Sequence, residues 1–446
     1  MAAFDFRAFL ASRRNWLRQA VARYRALPPM QRLGRAMALC LLTAGLLGLA
    51  IGAGSCSRKI RPDRDALPSG KTPLLRVRIS GRTATSADIF TTGPYRLLCG
   101  GVVVGESPLP LKSSQVHRVG NSWQVGQRLF LGPDLTLEAL DRSCVGFSRK
   151  AYRGTLRIVP AGSNALMVIN HIDLDNYLAG VLASELYTDW HIEAYKALAV
   201  AARTFALYHV LTAQPAQTYD LGADQSAQMY TGIDGEIDKS RQAVLDTRGL
   251  VLAAGPDGDE RIFMAQYSAC CGGRVNPVTV LRDGENIEPL RGGQVCSDCR
   301  ASNYYRWPEV AVPKTQVYLA LIDALGDKAR ALKNVADIRT VQKTPWDRPI
   351  WIEAVSAEGK TLRLRAENLR YALMTRKAYA PQVANIRSSN CTIRSRGDSI
   401  VFADGRGFGH GVGLCQWGAQ AKALQGWSAD RILNFYYPGA KHIPVY

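Results

Sequence analysis

The feature that most constrains how this chain can fold is an uncharged apolar stretch near its start, residues 36–54. As a helix, AMALCLLTAGLLGLAIGAG would span about 28 Å, close to the hydrocarbon thickness of a bilayer. The preceding residues 1–35 contain eight arginines and a single acid, Asp5. Because positively charged flanks stay in the cytoplasm, this pattern predicts a basic cytoplasmic arm, one membrane-spanning helix, and an extracytoplasmic remainder in the cell membrane.

Two alternatives stay open for this segment. A cleaved signal peptide is the first, although its basic region would be unusually long. Lipid attachment at Cys56 after processing is the second, although the residues before it make a poor lipoprotein signal. Residues 55–72 are polar, contain Pro62 and Pro68, and predict a linker.

Composition and charge narrow the class of protein. The chain has 446 residues, 47% hydrophobic and 21% charged, which is typical of a globular protein of more than one domain. Its net charge of +19 exceeds what the arm supplies and suits an anionic polymer such as cell wall. We expect no nucleic-acid partner, because no nucleic-acid motif accompanies the charge. Serine-hydrolase, zinc-protease and phosphate-binding-loop motifs are also missing from the sequence, which argues against those enzymes.

Strand and helix patterns occur in separate blocks. Short alternating segments fill residues 73–170, and helical patterns follow at 173–186 and 191–211. This order predicts an α+β ectodomain behind the membrane helix rather than a βαβ fold. We divide it into a β-rich accessory region, 73–150, and a second domain, 151–446.

Glu185 falls on the apolar stripe of the first predicted helix, one turn beyond Val181 and Leu182. A carboxylate there must be paired, protonated or functional, because burying it bare is costly. One hypothesis is a buried ion pair with Arg203, whose position on the second helix could face the first. The other is an acid at the floor of a cleft, with its pKa raised by apolar walls.

Glycine alternates with larger residues over 405–414, in GRGFGHGVGL. If this segment is extended, one face is bare backbone and the other carries Arg406, Phe408 and His410. The bare face would allow close packing against a neighbouring sheet or close approach of a ligand, and the pattern does not separate these.

Eight cysteines lie beyond Cys40 and Cys56. Cys270 and Cys271 precede Cys296 and Cys299, and paired cysteines at such spacing can build one structural zinc site. One or two disulfides are the alternative that an oxidising compartment favours. Disulfides between Cys99 and Cys144 and between Cys391 and Cys415 are further candidates.

Four blocks of the sequence resemble the SpoIID/LytB family, the sporulation stage II protein D type of peptidoglycan lytic transglycosylase and the related amidase enhancers. They are residues 177–209, 219–232 (YDLGADQSAQMYTG), 267–273 (YSACCGG) and 405–439. The resemblance runs in order along most of 74–446 and implies that 151–446 is the catalytic domain. Related sequences often have a histidine where this chain has Ser268, so Cys270 could replace a lost zinc ligand.

The resemblance implies cleavage of the N-acetylmuramic acid–N-acetylglucosamine backbone, with Glu185 as the single acid/base and 1,6-anhydro ends as products. It further implies substrate-positioning roles for five residues: Arg203, Gln228, Tyr230, His410 and Gln416. The implied partners are glycan strands and a wall amidase or similar enzyme, with no organic cofactor. A non-catalytic amidase enhancer is the main alternative, and a purely structural membrane–wall tether is a weaker one.

Overall fold

The computed structural model describes residues 70–81, 84–224, 227–283, 287–376 and 380–446. The predicted arm and membrane helix, and nearly all of the linker, lie outside these residues. Within the described ranges, no helix is long and apolar enough to cross a membrane.

Short strands with alternating burial make up the first part of the described chain. They are β1 Leu74–Arg78, β2 Ser86–Thr91, β3 Tyr95–Cys99, β4 Val102–Ser107, β5 Ser114–Val119, β6 Ser122–Val125, β7 Arg128–Leu131, β8 Leu135–Ala139, β9 Val145–Phe147, β10 Lys150–Tyr152, β11 Thr155–Pro160 and β12 Leu166–Asp173. One face of each of β1, β8 and β11 is apolar and buried, as in Leu75 and Val77 or Leu156 and Ile158. This pattern places a hydrophobic core against one face of the sheet.

Two sheets organise these strands. Six strands form one sheet in the order β10-β9-β2-β5-β6-β7, and seven strands form the other in the order β13-β1-β12-β11-β8-β3-β4, where β13 is Leu221–Gly222. In the larger sheet β8 pairs with β11, with Leu137 opposite Leu156. The predicted boundary between residues 150 and 151 therefore does not separate two bodies, because one sheet contains strands from both sides of it.

Helices follow these twelve strands in the chain, so the described residues form a mixed strand and helix fold. They are α1 Leu174–Glu185, α2 Ile192–Thr212, α3 Asp238–Asp246, α4 Lys314–Leu325, α5 Asp327–Arg330, α6 Ala366–Thr375, α7 Gln416–Leu424 and α8 Ala429–Tyr436. The first begins directly after β12, where the Asp173 carboxylate accepts from the Asn176 N–H and caps the helix. Alanines along α2 allow α1, α3 and α8 to pack closely against it.

The remaining strands are short. They are β14 Leu250–Ala254, β15 Arg261–Ile262, β16 Tyr267–Ser268, β17 Arg306–Trp307, β18 Val310–Pro313, β19 Asp337–Lys343, β20 Pro349–Val355, β21 Thr361–Arg365, β22 Thr392–Arg396, β23 Ser399–Ala403, β24 Gly405–Arg406, β25 Leu414–Cys415 and β26 Lys441–Pro444. Residues between Trp307 and Phe402 build a second hydrophobic core of their own. We call residues 307–402 the second-core segment.

Arg203 does not pair with Glu185, so the predicted ion pair is wrong. Its fully buried guanidinium lies 3.5 Å from Asp175 in the first turn of α1, and Glu185 is at the opposite end of that helix. It also donates to the Tyr446 hydroxyl and to the carbonyl oxygens of Val244 and Leu250. The arginine thus ties α1 and α2 to β14 and the C-terminus, away from the end of α1 that carries Glu185.

Replacing Arg203 with methionine should destabilise the protein by about 3–5 kcal/mol, since it leaves buried carbonyl groups and Asp175 without their partner. Urea unfolding of the two proteins measures this difference. Arg330→Gln is the matched control, because Arg330 is exposed and pairs only with its helix neighbour Asp327, so unfolding should hardly change. Equal unfolding midpoints for Arg203→Met and the unchanged protein would contradict this role.

Candidate active site around Glu185

Glu185 is the last residue of α1, and its carboxyl group is held by two neutral donors. The backbone N–H of Met229 donates to Oε1 at 2.9 Å, and the side-chain amide of Gln416 donates to Oε2 at 3.1 Å. The residue keeps some exposed surface, although protein surrounds most of its carboxyl group. The backbone becomes extended at Leu186, so the helix ends at the residue that carries the carboxyl group.

Burial raises the pKa of Glu185 above its ordinary value. The hydrogen bonds from Met229 and Gln416 and the nearby hydroxyl of Tyr267 lower the pKa, but burial is the larger effect. Among the described residues, no cation and no second carboxylate contributes to this shift. The site therefore shifts this half-buried carboxyl group towards its protonated form, which is the state of a general acid.

Gln228 and Tyr230 are buried supports of the loop that contacts Glu185. Gln228 accepts from the Tyr177 hydroxyl at 3.1 Å and donates to the Ala202 carbonyl oxygen at 3.2 Å. The Tyr230 hydroxyl donates to the side chain of Asn170 at 2.9 Å. Their side chains point into protein, and the residue between them, Met229, presents its N–H to the carboxyl group. The substrate contacts predicted for this pair remain a prediction.

Gln416, the first residue of α7, is the predicted site residue that contacts Glu185 directly. Cys415 precedes it and caps the helix, because its Sγ accepts from the Gly418 N–H at 3.4 Å. Gly418 in turn packs so closely that a Cβ there would lie 2.6 Å from the Cys296 sulfur. The position of the Gln416 amide thus depends on the cysteines behind it.

The glycine-rich segment is not extended as the alternation predicts. Gly407, Gly409, Gly411 and Gly413 all have positive φ, between 66° and 90°. A Cβ at Gly413 would lie 1.9 Å from the Gln266 carbonyl oxygen, so only glycine fits. The segment packs against residues 266–276, with which Phe408 and Val412 form β-bridges. Close backbone packing accounts for these glycines.

His410 lies in this segment. Its Nδ1 accepts from the Val412 N–H at 3.0 Å, and burial lowers its pKa to about 4. A neutral imidazole with one nitrogen already engaged fixes the local turn. Its predicted contact with substrate remains a prediction.

An aromatic strip begins beside Glu185, in which Tyr187 is exposed, Trp190 is buried and the other rings are half-buried. Tyr187, Trp190 and Trp417 lie within 5.2–5.9 Å of one another by ring centroids. An interaction with the Tyr304 hydroxyl raises the pKa of Tyr187, and the Tyr304 ring lies 5.0 Å from that of Phe408. The five rings form a path that starts at the end of α1.

Arg387 ends this strip. Its guanidinium carbon lies 5.5 Å from the ring centroids of both Tyr304 and Phe408. No hydrogen bond or ion pair engages this side chain within the described part of the chain, so its donors remain available to a ligand.

Four buried cysteines gather behind the strip: Cys271, Cys296, Cys299 and Cys415. Their sulfur atoms all lie within 4.8 Å of one another, and those of Cys271 and Cys299 are 3.7 Å apart. A tetrahedral Zn²⁺ with Zn–S bonds of about 2.3 Å requires sulfurs about 3.8 Å apart, so this set fits the ion. Backbone N–H groups of Cys271 and Gly418 donate to the Cys415 sulfur, as expected around a thiolate ligand.

The four sulfurs that the structure brings together differ from the predicted ligand set in one member. Cys415 completes the group of four, whereas Cys270 lies beside it and directs its thiol to the Cys299 carbonyl oxygen. Adjacent residues on an extended backbone point to opposite sides, so Cys270 and Cys271 do not both face the same centre. The suggested disulfides also differ from the structure, in which Cys99, Cys144, Cys391 and Cys415 are all free thiols.

Several residues of this site escaped the sequence analysis. The Met229 contribution is a backbone N–H and leaves no side-chain signal. Trp417 follows Gln416 directly, and Tyr187 and Trp190 follow Glu185 closely, so their spacing could have indicated an aromatic lining. Tyr304, Phe408 and Arg387 come together only through the fold.

Comparisons with known proteins agree with the sequence blocks. A family model described as Stage II sporulation protein matches residues 162–253, which contain all of α1 and α2, including Glu185. An uncharacterized protein of Brachyspira hyodysenteriae is 29% identical over 300 residues, covering 65% of this chain and 71% of the relative.

Two named Bacillus subtilis proteins match a similar length of the chain. Stage II sporulation protein D is 27% identical over 297 residues, covering 64% of this chain and 78% of the relative. An amidase enhancer is 25% identical over 300 residues, covering 59% of this chain but only 39% of that relative. Together with the Glu185-centred site, these matches confirm the resemblance to the SpoIID/LytB family that was read from the motifs.

Proposed function

We propose that this protein is a peptidoglycan lytic transglycosylase that cleaves the N-acetylmuramic acid–N-acetylglucosamine backbone with Glu185 as its acid/base. The observation that carries the proposal is a carboxyl group buried among neutral donors at the end of α1. The relatives named for sporulation protein D and for amidase enhancement support action on the cell wall.

Glu185 suits both proton transfers of this reaction. Its raised pKa keeps the proton available for the glycosidic oxygen, and the C–O bond breaks as that oxygen takes the proton. The resulting carboxylate accepts hydrogen bonds from Met229 and Gln416, which stabilise its charge while the sugar carries positive charge. The 6-hydroxyl then attacks C1 and returns its proton to Glu185, which closes the 1,6-anhydro ring.

One carboxyl group is enough for this sequence of steps. Glycoside hydrolysis uses two carboxyl groups, the second as nucleophile or as base for water. No second carboxylate shifts the pKa of Glu185 among the described residues, in keeping with intramolecular attack by the sugar. The aromatic strip supplies apolar ring faces on which successive sugar rings can stack beside the acid.

Glu185→Gln should abolish cleavage with little effect on folding. Glutamine has the same shape, keeps an acceptor for the Met229 N–H, and can pair with a rotated Gln416 amide, but it carries no transferable proton. We expect the rate of anhydro-muramic product formation from glycan strands, measured by mass spectrometry, to fall about 10²–10⁴-fold. Asp189→Asn is the matched control, because Asp189 is exposed four residues further along, and its rate should be unchanged.

Two outcomes of this assay would contradict the proposed transglycosylase reaction. Reducing muramic ends in place of anhydro ends would mean hydrolysis. Equal binding of glycan by the unchanged and Glu185→Gln proteins, with no cleavage by either and stimulation of a wall amidase, would make the protein an amidase enhancer. That alternative rests on the matched amidase enhancer.

We further propose that Cys271, Cys296, Cys299 and Cys415 hold one structural zinc ion. When bound, the ion would neutralise the thiolates and cross-link the loops that carry them. This chain's own contribution is to place Cys415 immediately before Gln416, so that the cross-link fixes the start of α7 and the amide that donates to Glu185.

Metal analysis of protein purified under reducing and under non-reducing conditions tests this site. We expect one zinc per chain, lost in Cys415→Ser and retained in the neighbouring control Cys270→Ser, because Cys270 lies outside the group of four sulfurs. Loss of the ion should also lower the thermal midpoint of unfolding. Zinc retained by Cys415→Ser and lost from Cys270→Ser would restore the ligand set predicted from sequence.

For location, we propose a single-pass protein of the cell membrane with residues 1–35 in the cytoplasm and the Glu185 site outside it. The arginine-flanked apolar stretch at 36–54 supports this topology.

A further inference from the structure

Tyr267 carries a buried hydroxyl group for which the fold provides no ordinary hydrogen bond. The residue lies in β16 and is half-buried, but protein encloses its hydroxyl oxygen, which has no partner of normal geometry within the described residues. A buried tyrosine hydroxyl usually has a partner, because leaving it unpaired costs free energy. An unpaired hydroxyl that persists beside a reacting group therefore calls for a functional explanation.

The glycine-rich segment and α2 hold Tyr267 close to Glu185. In the parallel pair of β16 and β25, Tyr267 lies opposite Leu414, two residues before the Gln416 amide that donates to Glu185. Its ring lies edge-on to the ring of Phe205 in α2, with the two centroids 6.5 Å apart. These contacts fix both the backbone and the ring, so the position of the hydroxyl is set by the fold.

The neighbours of this hydroxyl leave it free to donate. The Glu185 carboxyl group and the Gln228 amide lie beside it, and Tyr177 is the other titratable side chain that faces Glu185. Tyr177 already donates to Gln228 at 3.1 Å, and Gln228 donates to the Ala202 carbonyl oxygen. The Tyr177 hydroxyl is thus committed, whereas the Tyr267 hydroxyl has its proton available.

The ionised form of Glu185 has room for another donor. A carboxylate can accept about four hydrogen bonds, and Glu185 receives one from Met229 and one from Gln416. Burial and the nearby Glu185 charge raise the pKa of Tyr267 well above its ordinary value. The hydroxyl therefore keeps its proton at every pH at which the protein is folded and active, and it acts as a donor and not as a base.

We propose that Tyr267 is a positioning residue whose hydroxyl donates a third hydrogen bond to the Glu185 carboxylate once the acid has released its proton. The inference rests on the proposed function for the reaction, although the contact itself can be measured without it. A bond that forms only as charge develops on Glu185 stabilises the transition state more than the ground state. It would assist proton release to the glycosidic oxygen and hold the carboxylate in place for the proton that the 6-hydroxyl returns.

Tyr267→Phe in the full chain removes only this hydroxyl. Because the carboxylate loses a donor, the pKa of Glu185 should rise by about one pH unit, measured by infrared titration with Glu185→Gln in each background as the blank. Cleavage should slow about 10–100-fold with little change in KM, and its decline at high pH should move upward with the carbonyl band. The midpoint of urea unfolding should stay equal or increase, because an unpaired buried hydroxyl is removed.

Tyr437→Phe is the matched control, since Tyr437 is a neighbouring buried tyrosine whose hydroxyl is engaged. It donates to the Gln266 carbonyl oxygen at 2.7 Å and accepts from the Leu414 N–H at 3.2 Å. Loss of these bonds should lower the unfolding midpoint and leave the titration of Glu185 unchanged. The two variants thus separate an effect on the acid from an effect on stability.

A second control is remote from the site. Tyr318 packs against the core of the second-core segment, and its hydroxyl donates to the Arg330 carbonyl oxygen at 3.4 Å. Tyr318→Phe should change neither the titration of Glu185 nor the rate of cleavage.

Two results would overturn the proposal. One is a Glu185 pKa that stays the same or falls in Tyr267→Phe. The other is an equal rise in Tyr437→Phe, which would make the shift a consequence of local packing. Cleavage by the unchanged protein is measured separately, so a shifted titration without cleavage defeats the proposed function alone, and cleavage with an unshifted titration defeats this inference alone.

Discussion

The site depends on one physical constraint, the burial of the Glu185 carboxyl group with hydrogen-bond donors but with no cation beside it among the described residues. Met229 and Gln416 each give it one neutral hydrogen bond, and burial raises its pKa in spite of them. An adjacent arginine would hold the group ionised and useless as an acid. The fold avoids this by directing Arg203 to Asp175 at the other end of the same helix. The Arg203–Asp175 ion pair and the Glu185 carboxyl group therefore lie at opposite ends of α1.

The features that were predicted correctly depend on residues that are close together in the sequence. The apolar stripe that includes Leu182 predicted a helix, and the structure has one over Leu174–Glu185 that ends at the acid. Alternation likewise predicted strands such as Leu74–Arg78 and Thr361–Arg365. Gln416 was associated with Glu185 only through a family resemblance, and the structure brings the two within 3.1 Å. The arm and the membrane helix stay predictions, since they lie outside the described residues.

The errors arose where distant residues decide the outcome. Helical spacing shows which face a residue lies on but not its partner, so Arg203 was paired with the wrong end of α1. Cys415 is 144 residues from Cys271, and no spacing rule connects them. Alternating glycines predicted an extended strand, whereas contact with residues 266–276 imposes left-handed turns. In each case tertiary packing overrides the local pattern. The same packing links the cysteines to the Glu185 site, because Cys415 caps the helix that begins with Gln416.

The most direct test of this account is an infrared difference titration of the Glu185 carboxyl group, with Glu185→Gln protein as the blank. A raised pKa means that the protonated form persists to higher pH than in an exposed glutamate, whose pKa is about 4.3. We predict a protonated carbonyl band, missing from the variant, that is lost only well above that pH, together with cleavage that declines over the same range. A band that disappears at or below pH 4.3 would show an ordinary carboxylate and contradict Glu185 as the proton donor.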